Sequence, residues 1–427
     1  MPINLPRIDG GVKQSLLLKP KKVRPLKVLL AHPGTQSSFH LAVELQRQSS
    51  LAAFHTGFAF CADGWANRAW HALPSGWQKR VDNRRIDGLP THQLHCHLLG
   101  ELWALLRLRR GGDPQAVIHQ RNARFQRAIP DSAIASAQAV IGFDTSSWIL
   151  AERCAYYGVP LILVQTTWHP DAKVTVYEQV KRRFPGWVAG IQERSKQVRA
   201  AEAREHADAK LIVVASSYTR QSLINNGVSA AKICVNPYGV DCSRFSMGDH
   251  DPSRKLRFVF IGAINAFKGV PILLEAWQQL ATQQAELWLV GHAPFDTLRR
   301  LPRLPGLRYI GMLPRAELSS VLRQCDVLVF PSYYEGFGKV ILEAMACGLP
   351  VLTTTATAGQ DILSQGQDGW IIEPDSVEQL IETMSACLSN RKMIRKMGEC
   401  ARTTAERFTW AEYGRRWIEI LGTLDAR

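Results

Sequence analysis

The sequence predicts an α/β protein built of two doubly wound domains facing a central cleft, on three observations. Short apolar runs of strand length alternate with segments whose apolar residues recur at helical spacing, a pattern of parallel sheets with crossover helices. The alternation stops at a polar stretch, residues 247–255 (MGDHDPSRK), and then starts again. The chain has 427 residues, which at roughly 150 per domain makes two to three units, each able to bury its own core.

Residues 27–32 (KVLLAH) read as the first strand, PGTQSS as a loop and residues 39–48 as a helix. The unit recurs with a strand over 139–143 (AVIGF), a helix over 147–157 and a strand over 161–165 (LILVQ). Gly158 and Pro160 supply the stop between the last two. A strand over 211–215 leads into Ser216 and Ser217, capping residues for a helix that ends near Gly227. Beyond the polar break, strands fall at 257–261, 286–290, 307–310, 327–330 and 350–353, with helices between most of them. The boundary therefore lies within 240–255. Residues 25–245 form an N-terminal domain and 250–408 a C-terminal one, while residues 1–24 read as a flexible basic arm. Residues 409–427 hold an amphipathic helix, over 410–421, that is expected to pack back toward the N-terminal domain. In such folds the default site is the cleft.

Composition is 46% hydrophobic and 21% charged with 31 Gly and 22 Pro, which excludes wholesale disorder, collagen-like repeats and a coiled coil. No apolar run approaches the roughly 18 residues of a membrane span, and only Leu16 to Leu18 stand where a signal peptide needs a longer apolar core. The expectation is a cytoplasmic protein that meets the plasma membrane only at its inner face. Nine scattered cysteines with no C-x-x-C pair do not suggest a disulfide framework or a structural zinc site.

Charge carries more information. The formal net charge is +15 and the pI about 9.6, a balance that points to polyanionic partners. Residues 1–27 hold seven bases against Asp9, a net of +6. Residues 172–199 hold Lys173, Lys181, Arg182, Arg183, Arg194, Lys196 and Arg199 against Glu178 and Glu193, with Tyr177, Phe184 and Trp187 interleaved. Bases with interfacial aromatics suit an anionic membrane surface. A solvated basic face is the bland alternative. Nucleic acid is the other, although the chain has no RNA-binding aromatic signature, zinc-finger spacing or helix-turn-helix module.

The densest constellation is PSYYEGFGKVILEAMACGLP, residues 331–350, which follows a buried strand and opens a helix. Gly336 and Gly338 let backbone amides approach a ligand, and the helix start offers unpaired N–H groups and a positive dipole end that favour a diphosphate. Glu335 precedes the helix and Glu343 lies inside it, so the two can offer acceptors to sugar hydroxyls at opposite ends of one ligand. Taken alone, two glutamates eight apart are equally well a surface pair beside an ordinary strand-to-helix turn.

The whole stretch 330–350 resembles the signature of retaining, nucleotide-sugar-dependent glycosyltransferases of the GT-B fold, family four, also called glycosyl transferases group 1. Other segments agree in order and spacing. Residues 235–241 (VNPYGVD) with Phe245 resemble that family's interdomain segment, residues 260–269 from Phe260-Ile-Gly262 to Lys268-Gly269 its phosphate loop, and Asp361-Ile-Leu with Gly369 its late turn. The resemblance is strong over 210–415. It thins in the N-terminal half, where Thr166-Thr-Trp-His169 matches the family's histidine after a strand and Pro33-Gly34-Thr-Gln matches its glycine loop in part.

The resemblance implies two Rossmann-like domains, transfer of a sugar to an acceptor hydroxyl with retention of configuration, and no cofactor or metal. It implies a nucleotide-sugar donor and a glycan or lipid-linked acceptor, as in polysaccharide or glycolipid synthesis. Glu343 would hold the ribose hydroxyls, Glu335 with the Gly336, Phe337 and Gly338 backbone the donor sugar, and Lys268 the diphosphate. Gly34, Gly262, Asn265, Lys339 and Val340 would complete the donor site, and His169, Glu335 and Lys268 would be the catalytic residues. A fixed ammonium with helix-end amides meets the charge of a departing nucleoside diphosphate without a metal. One departure stands out: the family usually has an arginine after the glycine of its phosphate loop, and this sequence has Ala263. Another base then substitutes, or the chain is a binding subunit with weakened transfer.

His92, His95 and His97 with Cys96 invite a zinc hypothesis, but no carboxylate or second cysteine pair sits at a usable spacing and packing before residues 98–106 is the simpler reading. The chain lacks G-x-S-x-G, H-E-x-x-H and a complete G-x4-G-K-[ST], which argues against a serine hydrolase, a zincin or a P-loop kinase.

Overall fold

The computed structural model describes residues 26–35, 37–63, 70, 82–188, 194–248 and 253–425. The basic arm and Gln36 lie outside the described residues. The N-terminal domain runs β1 (Val28–Ala31), α1 (Ser38–Arg47), β2 (Leu51–Thr56), β3 (Phe60–Cys61), β4 (Arg85–Ile86), β5 (Leu94–Cys96), α2 (Leu98–Arg109), α3 (Pro114–Ala128), α4 (Asp131–Ala135), β6 (Ala139–Phe143), α5 (Trp148–Tyr156), β7 (Leu161–Gln165), α6 (Pro170–Arg183), α7 (Lys196–Asp208), β8 (Leu211–Val214), α8 (Ser217–Ile224) and β9 (Ile233–Val235). The C-terminal domain runs β10 (Leu256–Ile261), α9 (Val270–Leu280), β11 (Ala285–Val290), α10 (Phe295–Arg300), β12 (Leu307–Gly311), α11 (Leu318–Leu322), β13 (Val327–Phe330), α12 (Lys339–Ala346), β14 (Val351–Thr354), α13 (Gly359–Ile362), β15 (Gly369–Ile372), α14 (Val377–Ser389) and α15 (Arg391–Ala405). A last helix, α16 (Trp410–Asp425), ends the chain's described part.

Both main sheets are parallel throughout. The first has the order β5-β2-β1-β6-β7-β8-β9 and the second β12-β11-β10-β13-β14-β15, with β3 and β4 paired apart. Strands such as VLLA, AVIGF, LILVQ and VLVF are buried at every residue, as a sheet covered by helices on both faces requires. Each sheet winds outward from its first strand and then returns to that strand's other side. This puts a switch point between β1 and β6 (Leu30 opposite Ile141) and another between β10 and β13 (Phe258 opposite Val327). A crevice opens at the carboxyl ends of strands at such points. The chain places His32 to Gly34 and Asp144 at the first, and Gly262, Ala263 and the loop from Pro331 at the second.

Several strands escape a sequence reading. β2, LAAFHT, opens with small residues that carry no clear alternation, and β5, β9 and β15 have only three or four residues, too few for a period to show. The final helix crosses back: α16 packs on α1 so closely that a Cβ on Gly414 would lie 2.6 Å from the Glu44 Cβ. His40 stacks on Trp410 at 3.9 Å, and the Arg416 guanidinium donates to Asn236 and to the Pro237 carbonyl.

Of residues 172–199, Lys181, Arg182 and Lys196 are exposed and Glu193 lies outside the described residues. Other side chains of the segment brace the two domains. Tyr177 stacks on Phe267 at 5.8 Å, Phe184 and Trp187 pack against the core, and Arg183 pairs with Asp375 at 2.5 Å and Glu275 at 3.7 Å. Arg194 pairs with the buried Glu202, and Arg199 with Asp171.

Candidate active site

The loop after β10 ends in a single 3-10 turn over Ala266–Lys268, capped by the Asn265 side chain, whose oxygen accepts the Lys268 amide at 3.1 Å. Asn265 thus aims Lys268 and has one oxygen already occupied. The Tyr333 amide donates to the Phe267 carbonyl at 2.9 Å, tying this loop to the one after β13. Across that tie the Lys268 ammonium forms an ion pair with the Glu335 carboxylate, each side chain about one-fifth exposed. Two groups 67 residues apart therefore meet over the switch point of the second sheet, with Gly262 and Ala263 beside them at the end of β10.

Gly336 is where the domains touch. A Cβ there would lie 2.0 Å from the Thr166 carbonyl oxygen, so only glycine allows the loop to approach β7 this closely. The Gly336 carbonyl accepts from Ser216 Oγ at 2.8 Å and Thr219 Oγ1 at 3.1 Å, and the Glu335 carbonyl accepts from Trp168 Nε1 at 3.1 Å. Nearby, the Ser217 amide at the start of α8 donates to Asp361 at 2.9 Å. Burial pushes the Asp361 carboxyl up to about 6, against the opposing hydrogen bonds from Ser217.

Gly338 has φ +85°, a left-handed turn that starts α12. The first amides of that helix have no partner within it and lie at the positive end of its dipole. Phe337 and Val340 are buried, with the Phe337 ring 5.1 Å from Tyr238, so they can offer a ligand only backbone. Lys339 differs. Its side chain enters a cavity of about 330 Å³ that His40, Asp241, Arg244, Arg315, Glu343 and Trp410 also line. There Glu343 meets Arg315 at 3.3 Å. Burial and the Arg315 charge hold the Lys339 ammonium below its usual range, with Glu343 opposing. Burial, Lys339, Arg315 and Arg244 hold His40 down at about 4. Sequence reasoning missed Arg315 and His40. Their only signal was a polar residue soon after a strand end, which is common in any α/β chain.

His169 caps α6, its Nδ1 accepting the Asp171 amide at 3.2 Å while its own amide donates to Ser222 at 3.1 Å. That bond leaves the ring proton on Nε2. Burial, with Lys173, keeps the imidazole below its ordinary range despite Asp171, so the ring is neutral at pH 7. Gly34 sits in the turn after β1, where a Cβ would lie 2.8 Å from His32 Nε2. No hydrogen bond or ion pair joins Gly34 or the His169 side chain to the Lys268 and Glu335 cluster among the described residues.

Below the strand ends of the first sheet lies a second charged group that sequence reasoning also missed. Thr166 Oγ1 donates to Asp144 at 2.9 Å, Glu205 accepts the Thr145 and Ser147 amides at 2.8 and 2.7 Å, and burial brings Lys173 down to about 8. His95 and His97 stack on His55, with His55 Nδ1 and His97 Nε2 2.9 Å apart, while His92 is exposed. Among the described residues no group of three or more His, Cys, Asp or Glu is arranged to hold a metal ion.

Two Rossmann-like sheets whose strand ends meet at one seam, with a lysine, two glutamates and a helix start on the C-terminal side, have the arrangement of the GT-B fold. Residues 255–390 match the family model of glycosyl transferases group 1. Among curated proteins it is 28% identical over 222 residues to the sulfoquinovosyl transferase SQD2 of Arabidopsis thaliana, covering 48% of this chain and 43% of that one. It is 26% identical over 275 residues to a glycogen synthase of Mycobacterium tuberculosis, covering 60% and 62%. The chain thus spans about half the length of the curated relatives it matches. Among solved structures, sucrose-phosphate synthase from Thermosynechococcus elongatus aligns with TM-score 0.65 at 17% identity over 94% of this chain and 99% of that one. HepE of Anabaena in complex with UDP aligns with TM-score 0.60 at 16% identity over 93% and 100%.

Proposed function

We propose that the protein transfers a sugar from a nucleotide-sugar donor to an acceptor hydroxyl of a glycan or lipid-linked intermediate, with retention of configuration. The observation that carries this reading is the meeting of Lys268 and Glu335 beside the start of α12, at the switch point of a family domain and against the opposite domain. A donor would exchange partners there. Its diphosphate takes Lys268 from Glu335 and receives the α12 amides, and the freed Glu335 carboxylate accepts from the sugar hydroxyls. Glu343 accepts from the ribose, and Lys339 with Arg315 supplies the positive charge that Ala263 does not. As the glycosidic bond breaks, charge builds on the leaving phosphate oxygens, and fixed cations already in place stabilise it without reorganising. The leaving phosphate takes the acceptor's proton. His169, neutral with its proton on Nε2, donates a hydrogen bond that orients the sugar. The reading calls for no metal, so chelation of divalent cations is expected to leave turnover unchanged.

Titration calorimetry with UDP, GDP and ADP at fixed salt tests the site and names the base. One nucleotide is expected to bind, and Glu343→Ala to weaken it by about 1–3 kcal/mol, the loss of hydrogen bonds to a charged group. Binding of none of the three would falsify the donor site. Ala263 favours a second reading, a donor-binding subunit without transfer. Release of nucleoside diphosphate from the cognate nucleotide sugar excludes it.

A further inference from the structure

α2 turns the wrong face to water for a helix of a globular domain. Only Ala104 of the helix is buried, whereas Leu98, Leu99, Leu102, Leu105 and Leu106 are 45% to 85% exposed. Their spacing of i, i+1, i+4, i+7 and i+8 puts all five on one face. The remaining side is tied to α3, by Glu101 with Arg121 at 2.8 Å and by the Arg124 guanidinium 4.4 Å from the Trp103 ring. An outward leucine stripe forgoes roughly 25 cal/mol for each Å² left in water, and contiguous exposed apolar surface marks a binding face.

Charge decides what covers it. Residues 98–128 carry Arg107, Arg109, Arg110, Arg121, Arg124 and Arg127 against Glu101 and Asp113, a net of +4. Asp113 is engaged in capping α3, and Arg107, Arg109 and Arg110 are exposed at the end of the stripe. A second copy of the chain would bring the same positive excess against itself. The two longest stretches that lie mainly outside the described residues would add to it: residues 1–25 hold six bases against Asp9, and residues 64–81 three bases and no acid. An anionic bilayer supplies both the opposite charge and an apolar interior. The helix is about 18 Å long at 1.5 Å per residue, short of the roughly 30 Å hydrocarbon core. No described helix is long and apolar enough to cross a membrane, so α2 would lie in the interface plane.

We propose that α2 docks the protein on an anionic lipid bilayer, its leucine face in the acyl boundary and its arginines on the headgroup phosphates. The helix starts just after β5, and Glu101 reaches the turn after β1: a Cβ at Gly57 would lie 2.4 Å from the Glu101 carboxylate and 2.7 Å from the Pro33 carbonyl. Docking through α2 holds the strand ends of the N-terminal domain near the bilayer, where the hydroxyl of a lipid-linked acceptor arrives. That last consequence rests on the transfer reading; the docking does not.

The test is co-sedimentation of the full chain with phosphatidylcholine vesicles, with and without phosphatidylglycerol, over a salt series. Binding is expected to the anionic vesicles and to fall steeply with salt. Leu99→Gln, Leu102→Gln and Leu106→Gln combined change only exposed side chains and are expected to lower the partition constant at least about tenfold. Arg107→Gln with Arg109→Gln is expected to lower it several-fold and flatten the salt dependence. Nucleotide titration of each variant reports the donor site separately and is expected to be unchanged. Failure of the wild type to bind, full binding by the leucine variant, or a lipid-free dimer in light scattering that the leucine variant dissociates would each overturn the proposal.

Discussion

The two domains share a strand order but hold their charges differently. In the C-terminal domain two charged pairs stand at the mouth, formed across loops and within reach of a ligand: Lys268 with Glu335, and Arg315 with Glu343. In the N-terminal domain they lie under the strand ends. Glu202 and Glu205 are fully buried, Asp144 nearly so, and His32, His55 and His206 are shut away from water. Charges at a mouth can exchange partners when a ligand enters, whereas buried ones can only hold a shape, since breaking a buried pair leaves an uncompensated charge. The same architecture thus yields one domain arranged for ligand exchange and one that serves as a stiff wall.

The largest effect expected from this contrast is at the mouth. Lys268→Ala removes a fixed cation facing the leaving group and is expected to lower turnover by about 10²–10³, as removal of a preorganised stabilising donor does. A turnover assay following nucleoside diphosphate release checks it, and a loss below tenfold would place the phosphate elsewhere.

Gly336→Ala acts on the seam. The added Cβ meets the Thr166 carbonyl, so the domains are expected to part, with turnover down about tenfold to a hundredfold for a strain of roughly 1–3 kcal/mol. Nucleotide affinity should fall less than turnover, because Lys268, Glu335 and Glu343 all belong to the C-terminal domain. Small-angle scattering gives the separation, and an unchanged profile with unchanged turnover would mean the seam is not the working arrangement.

Acid should unfold the wall before the mouth. Burial is the main cause that holds His32 and His55 down at about 3, and His40 and His206 at about 4, against an ordinary 6.5. The unfolded chain binds more protons between those limits, so this stability is complete above pH 6.5 and is lost as pH falls toward 4. At pH 5 each histidine accounts for about 2 kcal/mol. All four lie in the N-terminal domain or its fold-back region, so hydrogen exchange at pH 5 against pH 7.5 is expected to open that domain first. Equal protection in both would break the contrast.

Arg315→Ala tests the smaller claim that this base offsets Ala263. Its side chain is 63% exposed, so screening limits its effect to about threefold to tenfold in nucleotide affinity. The smallest effect belongs to Asp361→Asn. A carboxyl raised to about 6 keeps its proton longer in the folded state, so its contribution is present below pH 3.8 and lost as pH rises through 6. The amide still accepts from Ser217, so the variant should melt a few degrees higher at pH 8 and no differently at pH 4.

The loop and helix start after β13 were legible in the chain. The run EGFGKVILE places a carboxylate, two glycines, a helix start and a second carboxylate within nine residues, and turn chemistry and helix spacing act over just such a window. The packing between the domains was not. The basic and aromatic residues between 172 and 199 read as an outer surface, yet Tyr177 stacks on Phe267 and Arg183 pairs with Asp375, because the partners come from the other domain. The leucines of α2 drew no reading from the sequence, yet they face outward.

By itself the sequence determined two doubly wound halves and the glycine-rich turn that opens a helix after β13, since strand length, helical period and glycine turns are local properties of the chain. Only the tertiary structure decided that Lys268 meets Glu335, that Arg315 meets Glu343 and that Asp361 reaches Ser217. Those contacts join residues 28 to 144 positions apart or lie across the domain seam. They follow from strand order and burial, which set which loops share a strand end and which charges must find a partner, and no window of sequence contains either.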